Sequence, residues 1–364
     1  ILQPEMTIMC NLIMQKLFTL GPTGNALPEL GISAEASGDA TSWDIELRQG
    51  IVFHDGTPFN ADAVVRHWKR ILDPENKFRS RDLCKPIKDV EELADYKVRF
   101  VLEHPWGSFL NVISDEIYGF SYIPSPRAVA EGTHGEQPVG TGPFRYNQWN
   151  KGDHFSVVKN ESYWRKGEPF LEKIVFRHIP DPQARYASLV SGQVDAVTLD
   201  RGTIINRAKK NSSLSVFPTQ GNGAEIILIN ETHPPLDDVR VRRALALANN
   251  QQLHIQMVYQ NSIPPAQHPF GQVLSCPDVG YPEHDLEKAR RLIEDYGRPV
   301  EIECMHSNTL RGKNIGELLE QLYGKIGIKL KPVGVNPGGA IMKVIEKDYQ
   351  MATCRNLASR DHGA

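Results

Sequence analysis

Apolar and polar residues alternate along two stretches early in the chain. Residues 43–47 and 96–102 carry an apolar side chain at every second position, which is the two-residue repeat of a half-buried strand. Between these stretches the spacing becomes helical, with Trp68 and Ile71 on one face and Asn60 in a favourable N-cap position. The pattern predicts a sheet with a helix packed against it.

A strand, a helix and a second strand are predicted towards the end of the chain. Residues 300–304 alternate, residues 315–326 place Ile and Leu side chains on one helical face, and residues 328–333 alternate again after Gly327. Strands joined by a single helix run parallel and cross over with a right hand. The pattern therefore predicts a βαβ unit.

Another capped helix is predicted in the middle of the chain. Asp181 and Pro182 suit the N-cap and the first helical position, and Gly192 suits the end of the helix. The apolar residues that follow predict a strand over 194–197.

Length and charge narrow the class of protein. A chain of 364 residues favours two domains, and a net charge of −3 gives no reason to expect a nucleic-acid partner. No apolar run is long enough to span a bilayer. No signal peptide is visible, so either the protein is intracellular or a leader is absent from this chain; the first residue, Ile1, is not Met, which favours the absent leader.

Catalytic motifs are scarce in the sequence, which has no GxSxG, P-loop or HExxH pattern. His54 and Asp55 could form an acid–base pair, but a structural turn is the simpler interpretation because no nucleophile or metal ligand lies nearby. Residues 140–142 (Gly-Thr-Gly) match part of a dinucleotide motif, yet Pro143 follows where a helix should begin. We expect no catalytic residue and no cofactor.

A metal site is not predicted either. The five cysteines are spread along the chain without a CxxC pair, and no two of the twelve histidines stand four residues apart, which argues against a zinc site. The odd number of cysteines leaves their pairing open.

The loop at residues 306–309 is a candidate binding segment. It follows the carboxyl end of the first strand of the predicted βαβ unit, where open α/β sheets bind ligands. Its polar side chains, together with Arg311, could hold a carboxylate or another polar group. A plain connecting loop that caps the next helix explains the same residues equally well.

Several segments match a known family in the expected order. The longest is residues 43–64, WDIELRQGIVFHDGTPFNADAV. The others are residues 138–144, 160–164, 189–195, 237–245, 325–329 and 348–352. Together they resemble the family 5 extracellular solute-binding proteins, the peptide- and nickel-type receptors of bacterial ABC importers.

The resemblance implies a periplasmic binding protein-like α/β fold of class II, cluster C. It implies a first lobe at residues 1–226, with an extra subdomain at about residues 9–137, and a second lobe at 227–364. Relatives continue beyond the position of Ala364, so we expect that the second lobe is truncated. The resemblance also implies a monomer that is periplasmic or lipid-anchored outside the cell, closes around its ligand by a hinge and delivers it to an ABC transporter membrane permease.

Loop position and resemblance together select six candidate ligand-binding residues, with a short peptide as the expected ligand. The candidates are Met6, Thr7, His306, Ser307, Asn308 and Asp361. Alternative ligands within the same class are a nickel chelate, haem, glutathione, an opine or an oligosaccharide, because one scaffold can serve many ligands. A peptidase that uses His54 and Asp55, and a relative without binding function, are the remaining alternatives.

Overall fold

The computed structural model describes residues 4–21, 24–76, 78, 80–115, 119–217, 224–266 and 280–355. They form two compact units, which divide between His178 and Ile179. No helix in these ranges is long and apolar enough to cross a membrane. The lobe boundary expected at residue 226 stays a prediction, because a division into compact units does not locate a hinge.

Unit 1, up to His178, contains both helices and strands. Its helices are α1 (Pro4–Ile13), α2 (Ala61–Leu72), α3 (Phe109–Ser114) and α4 (Pro126–Ala130), with 3₁₀ turns at Pro74–Asn76 and Arg81–Cys84. Its strands are β1 (Phe18–Leu20), β2 (Ala26–Pro28), β3 (Gly31–Ala36), β4 (Ser42–Leu47), β5 (Ile87–Ala94), β6 (Lys97–Leu102), β7 (Phe144–Asn150), β8 (His154–Lys159) and β9 (Lys173–Arg177).

The predicted sheet with its helix is present in unit 1. Four antiparallel strands lie in the order β3-β4-β6-β5, and α2 packs on their apolar face with Trp68 fully buried. The Asn60 side chain accepts a hydrogen bond from the backbone N–H of Ala63 at 3.1 Å, as the capping prediction required. Burial of the α2 stripe supplies most of the helix stability, because an isolated helix of this length is marginal in water.

A second sheet of unit 1 has the antiparallel order β7-β8-β9. Helix α1 covers part of one face of this sheet, where Ile13, Phe144 and Val157 form a small core. The remaining strands, β1 and β2, form a separate antiparallel pair. This arrangement brings the chain around residues 140–142 against the end of α1.

Unit 2, from Ile179, also mixes helices and strands. Its helices are α5 (Pro182–Val190), α6 (Gly202–Lys209), α7 (Val239–Ala248), α8 (Gln251–Tyr259), α9 (Leu286–Tyr296), α10 (Leu310–Gly324) and α11 (Pro337–Ile345). Its strands are β10 (Glu225–Ile229), β11 (Val300–Ser307), β12 (Ile328–Val335) and β13 (Met351–Arg355).

The βαβ prediction is confirmed in unit 2. Strands β11 and β12 are parallel over their whole length, from Val300 opposite Ile328 to Ser307 opposite Val335, and α10 joins them. The sheet order is β10-β13-β11-β12, with β13 parallel to β11 and β10 antiparallel to β13. The carboxyl ends of β11, β12 and β13 therefore share one edge with the amino end of β10. We call this edge the carboxyl edge of the sheet.

The middle of the chain gives one confirmed and one wrong prediction. The Asp181 side chain caps α5 by accepting a hydrogen bond from the N–H of Ala184 at 2.8 Å. The strand predicted over 194–197 is not formed. Val194 instead donates a hydrogen bond to the carbonyl of Ser188 as the chain leaves the helix. An apolar run without a neighbouring strand does not extend a sheet.

Candidate ligand-binding site

His306 lies near the end of β11, on the buried side of the sheet. Its side chain is 7% exposed, and its Nδ1 hydrogen-bonds the carbonyl of Ser307 at 2.9 Å. A Cβ atom at Gly316 of α10 would lie 2.7 Å from the ring, and one at Gly334 of β12 would lie 3.4 Å from it. The two glycines thus leave a slot that the imidazole fills.

Ser307 and Asn308 occupy the surface of the same edge. The hydroxyl of Ser307 hydrogen-bonds that of Thr309 at 2.8 Å, and Thr309 caps α10 by accepting from the N–H of Gly312 at 3.2 Å. Asn308 is fixed by its backbone N–H, which donates to the carbonyl of Val335 at 2.9 Å, while its side chain is exposed. The capping role therefore falls to Thr309, and the Asn308 amide remains open to solvent.

A carboxylate at the same edge was missed by the sequence analysis. Glu225 begins β10 opposite Arg355 of β13, so it stands beside the carboxyl ends of the parallel strands. Nε2 of His254 donates to its Oε2 at 3.1 Å, and the hydroxyl of Tyr259 also hydrogen-bonds it. Burial would raise the pKa of Glu225, but the hydrogen bonds from His254 and Tyr259 and the charge of Arg311 hold it below its ordinary value. Glu225 is therefore an ionised group at neutral pH.

Arg311 completes the polar group at this edge. It lies in the first turn of α10, and its Nε is 3.8 Å from Oε1 of Glu225. The exposed side-chain fractions are 38% for Arg311 and 22% for Glu225. An arginine whose fork is partly open to solvent can bind a carboxylate through two parallel hydrogen bonds.

The other predicted ligand residues lie in unit 1 or outside the described residues. Thr7 is a buried residue of α1 in unit 1, Met6 belongs to the same helix, and Asp361 lies outside the described residues. The six-residue site therefore stays a prediction. Its unit 2 members His306, Ser307 and Asn308 do lie together.

The His54–Asp55 turn has a structural geometry. The ring of His54 accepts a hydrogen bond from the N–H of Gly140 at Nδ1 and donates one from Nε2 to the carbonyl of Gly142, at 3.4 and 2.9 Å. Burial lowers the pKa of His54 to about 4. The Asp55 carboxylate accepts hydrogen bonds from the hydroxyl of Ser125 and the N–H of Thr57. Both ring nitrogens of His54 are thus occupied, and neither faces Asp55.

The Gly-Thr-Gly segment lies tightly against α1. A Cβ atom at Gly140 would lie 2.2 Å from the carbonyl oxygen of Ile13, and one at Gly142 would lie 2.5 Å from that of Leu12. The N–H of Gly142 donates to the carbonyl of Ile13 at 2.8 Å. These glycines permit two backbone segments to touch, which accounts for a Gly-rich loop without a nucleotide.

The described residues contain no group of three or more His, Cys, Asp or Glu side chains placed to hold a metal ion. Within the described ranges, the carboxyl edge of unit 2 is where candidate binding residues concentrate. Asn308 and Arg311 contribute hydrogen-bond donors there, and Glu225 contributes an ionised acceptor. Such a set can recognise a small polar ligand through its charged ends.

Known proteins with similar sequences or folds are solute-binding proteins. The glutathione-binding protein GsiB of Pectobacterium atrosepticum is 28% identical over 336 residues, covering 89% of this chain and 64% of that protein. The structure of the periplasmic binding protein AgaA in complex with agropinic acid, from A. tumefaciens R10, has a TM-score of 0.83 at 25% identity, covering 96% of this chain and 72% of that one. DppA from Helicobacter pylori, in complex with the peptide STSA, has a TM-score of 0.87 at 24% identity, covering 98% and 75%.

These likenesses confirm the predicted fold class, the class II periplasmic binding protein fold. The chain spans just under two thirds of the length of the P. atrosepticum relative. The family model for bacterial extracellular solute-binding proteins, family 5 middle region, matches residues 25–361. The chain belongs to the family 5 bacterial extracellular solute-binding proteins.

Proposed function

We propose that this chain is the binding component of an extracytoplasmic receptor that captures a short peptide and delivers it to the membrane permease of an ABC transporter. The observation that carries the proposal is the group of open polar side chains at the carboxyl edge of unit 2. Asn308 and Arg311 present donors at the place where open α/β sheets bind ligands. Family membership supports the same class of function.

A short peptide suits this edge because it carries a carboxylate, an ammonium group and peptide groups. The Arg311 fork fits a carboxylate, Glu225 is an acceptor for an ammonium group, and the Asn308 amide can bond a peptide group. Relatives named for a peptide complex and for glutathione support a peptide ligand. The AgaA complex with agropinic acid makes an opine the alternative ligand within the same class.

The receptor is proposed to bind without turnover. The peptidase alternative needs His54 to remove or deliver a proton, yet both of its ring nitrogens are hydrogen-bonded to backbone groups and burial lowers its pKa. A base must reach the proton that it abstracts. Incubation with labelled short peptides tests this part, and cleavage that is lost in His54→Ala would contradict it.

Closure by a hinge is proposed as the capture step, on the strength of the family alone. A ligand shifts the equilibrium between the open and closed states only through the contacts that it makes in the closed state. We expect the receptor to be monomeric. We also expect it to be periplasmic or lipid-anchored outside the cell, and its membership of a family of extracellular proteins supports this location.

Isothermal titration calorimetry with a panel of di-, tri- and tetrapeptides tests the ligand class, with agropinic acid as the competing ligand. We expect saturable binding of at least one peptide, weakened in Arg311→Gln and unchanged in Lys313→Gln, an exposed neighbour on the same helix. If agropinic acid binds and no peptide does, the proposed ligand becomes an opine instead of a peptide. If nothing binds, the proposed function fails.

A further inference from the structure

Glu225 and Arg311 form an ion pair that stops short of direct contact. The shortest distance between the guanidinium and the carboxylate is 3.8 Å, from Nε to Oε1, which is longer than a hydrogen bond. Ion pairs of unit 2 differ in this distance: Lys329–Glu301 closes to 2.9 Å, whereas Lys313–Glu317 stays open at 3.8 Å. The Glu225–Arg311 pair is an open one, and its partners are less exposed than those of Lys313–Glu317.

The Glu225 carboxylate is held in place independently of Arg311. His254 donates to Oε2 at 3.1 Å, and the Tyr259 hydroxyl supplies a further hydrogen bond. Both donors come from α8, while Arg311 comes from α10. The Oε1 atom, which faces Arg311, keeps room for one more donor because a carboxylate oxygen accepts more than one hydrogen bond.

The guanidinium of Arg311 has spare donors. Within the described ranges, Glu225 is its one charged partner, and none of the hydrogen bonds found there uses its side chain. Five N–H groups in a planar fork are more than a single loose contact can satisfy. The Glu225 carboxylate and the Arg311 guanidinium lie side by side, and both are partly exposed and able to form further hydrogen bonds. They match a ligand that carries the complementary pair of charges.

We propose that Glu225 and Arg311 together bind the head group of an α-amino acid, with the ligand ammonium on Glu225 and the ligand carboxylate on Arg311. In such a head both charges stand on one carbon atom, so they can meet two protein charges that are themselves adjacent. The inference deepens the proposed function and rests on it.

The head group distinguishes two kinds of short peptide. In an ordinary α-linked peptide the free ammonium and the free carboxylate stand at opposite ends. In a peptide whose first residue is a γ-linked glutamate, both remain on the same carbon atom. A free amino acid has the same head. The pair therefore predicts a preference for γ-glutamyl peptides or free amino acids over α-linked peptides.

Calorimetry on the 364-residue chain with three probes tests the proposal. The probes are γ-Glu-Cys-Gly, its isomer α-Glu-Cys-Gly, and free L-glutamate. We expect the γ-isomer to bind about tenfold or more tightly than the α-isomer, since hydrogen bonds to charged groups are involved. The preference should fall to near parity in Arg311→Gln and in Glu225→Gln, and persist in the control Glu301→Gln, which alters an exposed pair on β11.

Thermal melts separate binding from folding, because Glu225 is mostly buried and its replacement can lower stability. Arg311 is more exposed, so Arg311→Gln should melt like the unaltered protein and still lose the preference. Arg311→Lys keeps the positive charge but lacks the planar guanidinium, so it should retain only part of the affinity of the unaltered protein.

The outcomes are distinct. If free glutamate binds as tightly as the γ-tripeptide, head-group binding is supported and the ligand is a free amino acid. If the γ-tripeptide binds and free glutamate does not, the ligand is a γ-glutamyl peptide. Equal binding of the α- and γ-isomers, or a preference that survives both substitutions, overturns the inference while leaving peptide capture intact. If no probe and no peptide of the panel binds, peptide capture and the inference both fail.

Discussion

Two polar clusters, one in each unit, use their hydrogen-bonding groups differently. In unit 1, both ring nitrogens of His54 are bonded to the backbone at Gly140 and Gly142. In unit 2, Glu225 is held on one side, and its other side faces an arginine fork without touching it. A closed cluster stabilises a crossing of the chain, whereas a cluster with unused donors and acceptors can bind a partner. The two regions therefore differ in function although both are polar and partly buried.

The comparison also shows which of these residues belong to the family motifs and which do not. His54 and the Gly-Thr-Gly segment lie in two of the segments that carry the family resemblance, and they build the scaffold. Glu225 and Arg311 lie outside the segments that carried the resemblance. Ligand preference in this chain is thus expected to depend on residues that the family motifs do not include.

The largest expected effect comes from breaking the closed cluster at Gly140. Gly140→Ala places a methyl group 2.2 Å from a backbone oxygen of α1, so either the helix end or the loop must move. We expect the free energy of unfolding to fall by about 3 kcal/mol, measured by urea denaturation. Gly135→Ala is the control, because its Cβ would meet nothing within 4 Å. Equal losses in both variants would mean that the close approach is unimportant.

Acid should weaken the same cluster. The pKa of His54 is lowered from 6.5 to about 4 in the folded protein, so the unfolded chain binds the proton more readily. The stabilisation is complete above pH 6.5 and is lost as the pH falls towards 4, by about 2 kcal/mol. Urea midpoints at pH 7 and pH 4.5 measure the loss, which should be smaller in His54→Gln. An unchanged pH dependence in that variant would assign the loss to other groups, such as the buried His67.

Removing the Thr309 hydroxyl distinguishes a helix-capping role of this residue from a ligand-binding role. Thr309→Ala removes the acceptor for the N–H of Gly312, and we expect a loss of about 1 kcal/mol in unfolding free energy. Peptide affinity should stay the same. Thr203→Ala, at an exposed position of α6, is the control and should not lower stability. A variant that keeps its stability and loses affinity would move Thr309 into the binding group.

The smallest expected effect is at Asn308. Its exposed side chain can lose its amide without disturbing the backbone bond to Val335, so Asn308→Ala should melt normally. If it bonds the ligand, affinity should fall about threefold to tenfold, as measured by calorimetry. Asn314→Ala, exposed on the same α10 helix, is the control. Unchanged affinity would remove Asn308 from the site.

Local patterns predicted much of the fold. The two-residue alternation located β4, β6 and β11, and the caps at Asn60 and Asp181 are formed as expected. These features depend on neighbours in sequence. The strand expected at 194–197 failed because strand formation also needs a partner, which a single segment cannot reveal.

The candidate site could be predicted only in part for the same reason. The segment at residues 306–309 was found from its position in the βαβ unit, but its first two residues, His306 and Ser307, belong to strand β11 and not to a loop. Glu225 was missed, although a charged residue directly before the apolar run 226–229 was a usable signal. Its significance comes from His254 and Arg311, which are distant in sequence and meet it only in the folded sheet.

The direction of β10 has a consequence for how such receptors can diverge. Because β10 runs opposite to its neighbour β13, its first residue stands at the edge where the parallel strands finish. That residue is not part of the hydrophobic core of unit 2. Exchange of a single side chain there can alter the charge presented to a ligand while the parallel strands keep their packing, so new selectivities can arise without rebuilding the sheet.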